Sequence, residues 1–257
     1  MAEGLHIALA QEPLTHVMGL PVTPTVITSV LVTVILLTFA FFTGRSLKVV
    51  PGKFQVAVEE TVGGVYNYTK EALEDARLAE RFFPLIMTIF LFILLSNFLG
   101  FLPVMETIGI ETHPEDGHGE GHFVPFFYPV NADLNIPLTL AIISFLTVEI
   151  SGIAYLGFLK YGSKFVNLKS PIDFAIGILE IIGNFARLIS LSFRLFGNIL
   201  AGHLLIMVIM LFVPLLLPLP FLFFEVFVAV MQAAIFALLT LFFLKLSIAE
   251  PHGQEAH

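Results

Sequence analysis

Long apolar runs alternate along this chain with shorter polar stretches, and their lengths predict helices that cross a bilayer. The first run, Thr25 to Phe42, is followed by Gly44, Arg45 and Lys48, after which Pro51 and Gly52 break the chain. From Phe54 the pattern changes. Apolar or small residues recur at Phe54, Ala57, Val58, Val62, Val65, Ala72 and Ala76, with Lys70, Glu71, Glu74, Asp75 and Arg77 between them. This near-helical period is too charged for a span and predicts one or two amphipathic helices on the membrane surface, with Gly63 and Gly64 allowing a bend. A soluble connector would carry the same pattern. The second span is Phe82 to Leu102, with Pro84 in its first turn, where proline is tolerated. The third is Ile136 to Leu159. The region from Pro171 to Lys245 divides at VPLLLPLP, residues 213–220, into helices from Ile172 to Phe212 and from Phe221 to Leu244. At 1.5 Å per residue the first of these is ~60 Å long, about twice the hydrocarbon thickness, so it must be tilted, bent or broken.

Composition narrows the class. The 257 residues are 57% hydrophobic and only 12% charged, and the mean hydropathy is +0.95. A soluble domain cannot hide that much apolar surface, which predicts an all-α polytopic membrane protein of about five transmembrane helices plus amphipathic surface helices, the last two spans forming a long, tilted hairpin. Continuous runs of this length argue against a β-barrel, whose strands alternate over about 10 residues. The absence of cysteine excludes disulfides, thiolate catalysis and Cys-ligated zinc. Met1 to Leu20 has no Lys or Arg and so lacks the basic region of a secretion signal. It reads as a short outer-face segment, with His6 and His16 solvated.

The basic residues set an orientation. Of twelve Lys and Arg, nine fall between Arg45 and Arg81 or between Lys160 and Lys169, and Lys245 follows the last span. The positive-inside rule puts both connectors and the C-terminus in the cytoplasm and the N-terminus outside. The resulting organisation is an outer segment (residues 1–24), a first span (25–43), a cytoplasmic connector (44–81), two spans (82–170) with an outer loop (104–135), a hairpin (171–246) and a cytoplasmic tail (247–257). The outer loop contains HPEDGHGEGH, with His113, His118 and His122 among Glu111, Glu115, Asp116 and Glu120. Metal binding is conceivable for such a cluster, but no His-Glu-x-x-His spacing is present, and Pro and Gly favour a solvated loop with no metal.

Several polar residues lie inside the spans. Arg194 sits at the centre of SLSFRLFGNILAGH, residues 190–203, within the hairpin. A charge in hydrocarbon costs ~2.5–3.5 kcal/mol on insertion scales, so it marks a functional site with a partner; snorkelling to the headgroups requires a place near a helix end. Glu180, Arg187 and Arg194 are spaced by seven and drift only ~20° per step, with Asn184 and Asn198 on nearly the same side and Ser190 at its edge. The stripe reads as a hydrogen-bonded interface or as a hydrated path, and the cost of its charges favours the path. On the other arm, Glu225 falls level with His203, and Gln232 with Arg194. Arg194 and His203 are nine apart, hence on opposite sides of an ideal helix, unless Gly197 and Gly202 permit a bend. A His–Glu pair within reach can pass protons, since imidazole changes charge near neutral pH; simple charge compensation is the alternative. Glu149, inside the third span, has no evident role.

The run SLSFRLFGNILAGH resembles the signature of subunit a of F-type ATP synthases. SNFLGFLP (Ser96 to Pro103), NADLNIP before the third span and QAAIFALLT (Gln232 to Thr240) resemble the same family, in order from about Thr25 to Lys245. The resemblance implies five membrane-crossing helices plus a surface helical segment. It implies that Arg194 faces the carboxylates of a rotating c-ring and that His203 and Glu225 form a pair found in exchanged order in some members. Asn198, Gln232 and Ser190 then accompany the arginine, Glu180 serves the opposite opening, and Asp133 lies near the outer channel mouth. Arg187 and Asn184 enter only through the stripe, and Glu149 matches no part of the motif, so its role stays open. The implied role is a stator subunit that carries protons without being catalytic itself, in a bacterial inner membrane, beside c-ring and b-type stalk subunits and indirectly the F1 sector. It implies no cofactor and no nucleic acid. A secondary transporter would show inverted repeats, and none is visible here.

Overall fold

The computed structural model describes residues 14–17, 20–102, 107–112, 122–165, 171–213 and 216–249. Its helices are α1 (Pro24–Arg45), α2 (Lys53–Leu73), α3 (Ala76–Gly100), α4 (Asn135–Leu156), α5 (Phe158–Phe165), α6 (Pro171–Phe212) and α7 (Pro218–Ile248). Five of them, α1, α3, α4, α6 and α7, are long and apolar enough to cross a membrane, with mean hydropathies from 1.9 to 2.5. At most 39% of any span's apolar window is buried, so most of that surface faces outward, as a lipid solvent requires. The chain is an all-α polytopic membrane protein.

Local chemistry explains the helix limits. Pro24 occupies the first turn of α1, and the helix ends at Gly44 and Arg45. Beyond Pro51, α2 runs unbroken through Gly63 and Gly64, so the connector bears one amphipathic helix and not two. Glu74 then takes a left-handed conformation (φ 57°) and closes it with a bond from its N–H to the Lys70 carbonyl. The next helix starts six residues earlier than Phe82, because Asp75 caps it: its Oδ1 accepts from the Arg77 N–H at 2.7 Å. Pro84 therefore lies inside α3, not in its first turn. At the other extreme, α6 is 42 residues long and unbroken, which removes one of the three ways its length was to be accommodated.

Two short hairpins supplement the helices: β1 (Thr15–Val17) with β2 (Leu20–Val22), and β3 (Gly109–Thr112) with β4 (His122–Pro125). The second pairs Thr112 with His122, so Glu111 and His122 of the His-rich stretch lie on paired strands. His113, Glu115, Asp116, His118 and Glu120 lie outside the described residues, as does His6. Among the described residues no group of three His, Asp or Glu is placed to hold a metal ion.

The chain divides into two compact units, to both of which α3, α6 and α7 contribute. Unit 1 comprises residues 1–50, 91–137 and 195–233. Its centre is polar for a protein interior. A 3-10 turn, Val130–Ala132, is wholly buried. Asn131 Nδ2 donates to Asn97 Oδ1 at 2.7 Å, and the Tyr128 N–H donates to Thr28 Oγ1 at 3.2 Å. Unit 2 comprises residues 51–90, 138–194 and 234–257. Its core packs Leu73, Phe82, Ile86, Val148, Ala237, Leu241 and Leu244, and Lys245 Nζ donates to Glu74 Oε1 at 2.6 Å.

Candidate functional site

The polar residues read from the sequence separate by unit. Asp133, Asn198, His203, Glu225 and Gln232 belong to unit 1; Glu149, Glu180, Asn184, Arg187, Ser190 and Arg194 belong to unit 2.

In unit 1, Asp133 is 2% exposed. Its Oδ2 accepts from Thr25 Oγ1 at 2.8 Å and its Oδ1 from the Asn135 N–H at 3.0 Å. The carboxylate thus closes a turn at the start of α4 and ties it to the start of α1. Glu225, on α7, is 4% exposed and rests its carboxylate against Gly202 on α6, where a Cβ would overlap it. Residues 202 and 225 are thereby level, one position from the sequence-derived match of His203 with Glu225. Glu225 Oε2 is buried without a hydrogen-bond partner among the described residues. The half-buried His203 ring packs edge-on to Tyr128, with centroids 5.5 Å apart. His203 also lines a surface cavity of about 360 Å³ with Gly100, Phe101, Thr107, Met207 and Leu222. Gln232 is buried and Asn198 exposed. The helix passes Gly197 and Gly202 without interruption.

Unit 2 holds the charged stripe of α6. Arg194 is exposed, and its Nη2 donates a long 3.4 Å bond to Ser190 Oγ one turn earlier. Arg187 Nη1 donates to Asn184 Oδ1 at 3.0 Å, and its guanidinium carbon lies 5.0 Å from the centre of the Phe243 ring. Glu180 is in a 2.7 Å ion pair with Lys164 of α5. Glu149 accepts from Asn184 Nδ2 at 3.1 Å and from the Tyr161 hydroxyl at 2.9 Å.

Two features explain how Tyr161 gets there. Gly157 has φ +82°, a left-handed turn that glycine adopts without a Cβ clash, and it separates α4 from α5. Gly152 has no side chain where the Tyr161 ring lies, and a Cβ there would overlap it. Burial, then the hydrogen bond to Glu149, pushes the Tyr161 phenol well above its usual range, so it acts as a donor at every physiological pH.

Sequence reasoning missed Asn97, Asn131, Tyr128, Tyr161 and Lys164. Asn97 and Asn131 stand within motifs already singled out, SNFLGFLP and NADLNIP, so a polar residue in an apolar motif was the available signal. Tyr161 and Lys164 gave none, because an aromatic and a lysine in a connector are ordinary.

Comparison with known proteins places the sequence in a family. The profile of the ATP synthase A chain matches residues 26–245. ATP synthase subunit a of Geotalea daltonii is 34% identical over 225 residues, covering 86% of each chain. The Geobacter sulfurreducens subunit a is 33% identical over a similar length. That of Campylobacter jejuni is 33% identical over 217 residues, 83% of this chain and 85% of its own. The match covers every helix but the ends of the first and last, and the chain belongs to the ATP synthase A chain family.

Proposed function

We propose that this chain is the stator subunit of a rotary ATP synthase's membrane sector. It provides two offset half-channels that carry protons to and from carboxylates on a c-ring. It performs no catalysis itself; it couples ion flow to rotation, alongside b-type stalk subunits and, indirectly, the F1 sector. Its place is a bacterial plasma membrane, with the N-terminus outside and the C-terminus in the cytoplasm.

One observation carries this reading: Arg194 lies exposed on an unbroken apolar helix, and its bond to Ser190 is a long one at 3.4 Å. A guanidinium cannot deprotonate in a protein, so in hydrocarbon it calls for an anion from elsewhere. A ring carboxylate supplies that anion. Protons from outside pass Asp133, the His203 and Glu225 level and Asn198, and neutralise a ring carboxylate, which then turns into lipid where a bare charge is too costly. The returning carboxylate meets Arg194, whose positive charge lowers its proton affinity, and the proton leaves past Glu180. Ser190 supplies a polar partner to the arginine, and Gln232 is a further polar residue of the proposed path. Arg194 also blocks a direct leak, because it has no proton to exchange. Each charge crossing supplies ~2.3 kcal/mol per 100 mV, so several must be summed per ATP.

Arg194→Ala, assembled in the full complex in vesicles, should abolish both ATP-driven proton pumping and ATP synthesis. Coupled pumping at the unmodified rate in that variant would refute the assignment.

A further inference from the structure

Glu149 stands outside the motifs that carry the family resemblance, yet both of its carboxylate oxygens are held. Each of its carboxylate oxygens accepts one hydrogen bond, Oε2 from Tyr161 and Oε1 from Asn184. Asn184 in turn accepts from Arg187, so a permanent cation is two hydrogen bonds from the carboxylate. Glu149, Asn184 and Arg187 border a small cavity of about 20 Å³, room for about one water, whose wall also includes Ser144 and Thr240, with hydroxyl oxygens 3.2 Å apart. A water needs two to four polar partners, and Ser144, Thr240, Asn184, Arg187 and Glu149 supply them.

Charge compensation alone does not account for this arrangement. A carboxylate serving only to neutralise Arg187 is best placed in direct, bidentate contact with the guanidinium. Here Asn184 stands between them, and the carboxylate stays at the wall of the cavity. Tyr161 meanwhile is brought back by the left-handed Gly157 and admitted by Gly152, which are specific backbone provisions for one hydroxyl.

We propose that Glu149 is a proton-holding carboxylate in a hydrated cavity of unit 2, a second such group beside Glu180. Its carboxylate takes a proton from a hydronium ion, leaving water, and returns it to water on the way out. The ionisable groups facing it are Tyr161 from α5 and Arg187 from α6. Lys164 and Glu180 are paired to each other, and α7 presents only Thr240 and Phe243 to the cavity. This proposal rests on the ion-conducting role given above.

The test measures passive proton flow through vesicles carrying the whole complex, after removal of its catalytic sector, against pH. Glu149→Gln keeps the shape but cannot hold a proton, and its amide nitrogen cannot accept one of the two hydrogen bonds. It should slow flow about tenfold, less than the hundredfold or more lost with a sole acid–base group, because Glu180 remains. Glu149→Asp should recover part of the rate. Tyr161→Phe keeps the ring over Gly152 but removes the donor, and should move the pH profile towards alkaline values. A Glu149→Gln complex with unmodified flow and pH profile overturns the proposal. Should that variant fail to assemble, an unshifted profile in Tyr161→Phe overturns it instead. If Arg194→Ala blocks coupling while the Glu149 variants change nothing, this inference fails and the proposed function stands. If Arg194→Ala leaves coupling intact, the proposed function itself fails.

Discussion

Gly202 and Glu225 show how much a single atom decides here. The glycine's missing Cβ is the space the carboxylate fills. Gly202→Ala should therefore displace Glu225 at a cost of about 1–3 kcal/mol, as for other overpacked sites. Because the atoms it meets are the end of a flexible side chain, the chain should still assemble. Glu225→Ala removes the obstruction, so the double variant should be more stable than the sum of the two single losses; thermal unfolding of the purified complex checks this. Strict additivity would mean that the contact does not govern the site. At this scale the sequence was informative about kinds of residue and poor on contacts. Matching depths along two antiparallel helices brought residue 225 to within one position of its neighbour. Which atoms touch depended on a glycine, a residue that carries no chemistry of its own.

At the scale of elements, the helices were largely legible because apolar length and capping chemistry are local. Errors occurred where a cap outweighed the apolar pattern: Asp75 starts α3 well before the apolar run, which moves Pro84 to its interior. The relation of α2 to α7 was not legible. Their ends are joined by Glu74 and Lys245, two charges that in sequence look like ordinary solvated ones. The Lys245 hydrogen bond, then its charge, holds the Glu74 carboxyl below the usual carboxylate range. A folded value below the unfolded one means that the pair's contribution is complete above the unfolded value, about pH 4.3, and lost as pH falls through the folded value. Glu74→Gln should accordingly lower thermal stability slightly at neutral pH, and the difference should vanish as pH falls through the folded value and the unmodified carboxyl also becomes protonated. Both groups are substantially exposed, so raised salt should shrink the difference. A gap that persists unchanged at low pH would assign the effect to something other than this charge pair.

For the whole molecule, five apolar helices and the placement of basic residues define a topology with a checkable sign. One span, α3, separates Glu60 from Thr107, so the two must face opposite sides of the membrane. The chain has no cysteine, which makes introduced ones unambiguous. Thr107→Cys should react with a membrane-impermeant maleimide added to intact cells, and Glu60→Cys only in inverted vesicles. Both positions lie on exposed residues. Labelling of both from one side would remove α3 from the set of spans, and the reverse pattern would invert the orientation.

The sequence by itself determined the class, the number and near-limits of the spans, the family and the candidate charges. Each of these is a sum over neighbouring residues: hydropathy over a window, charge over a loop, a motif over a dozen positions. Only the tertiary structure decided that Glu149 meets Tyr161 and Asn184, that Asp133 binds Thr25, and that the polar residues divide between two units. Those contacts join residues up to 108 positions apart. They depend on where two helices can approach, which is set by the small residues between them and not by the polar groups themselves.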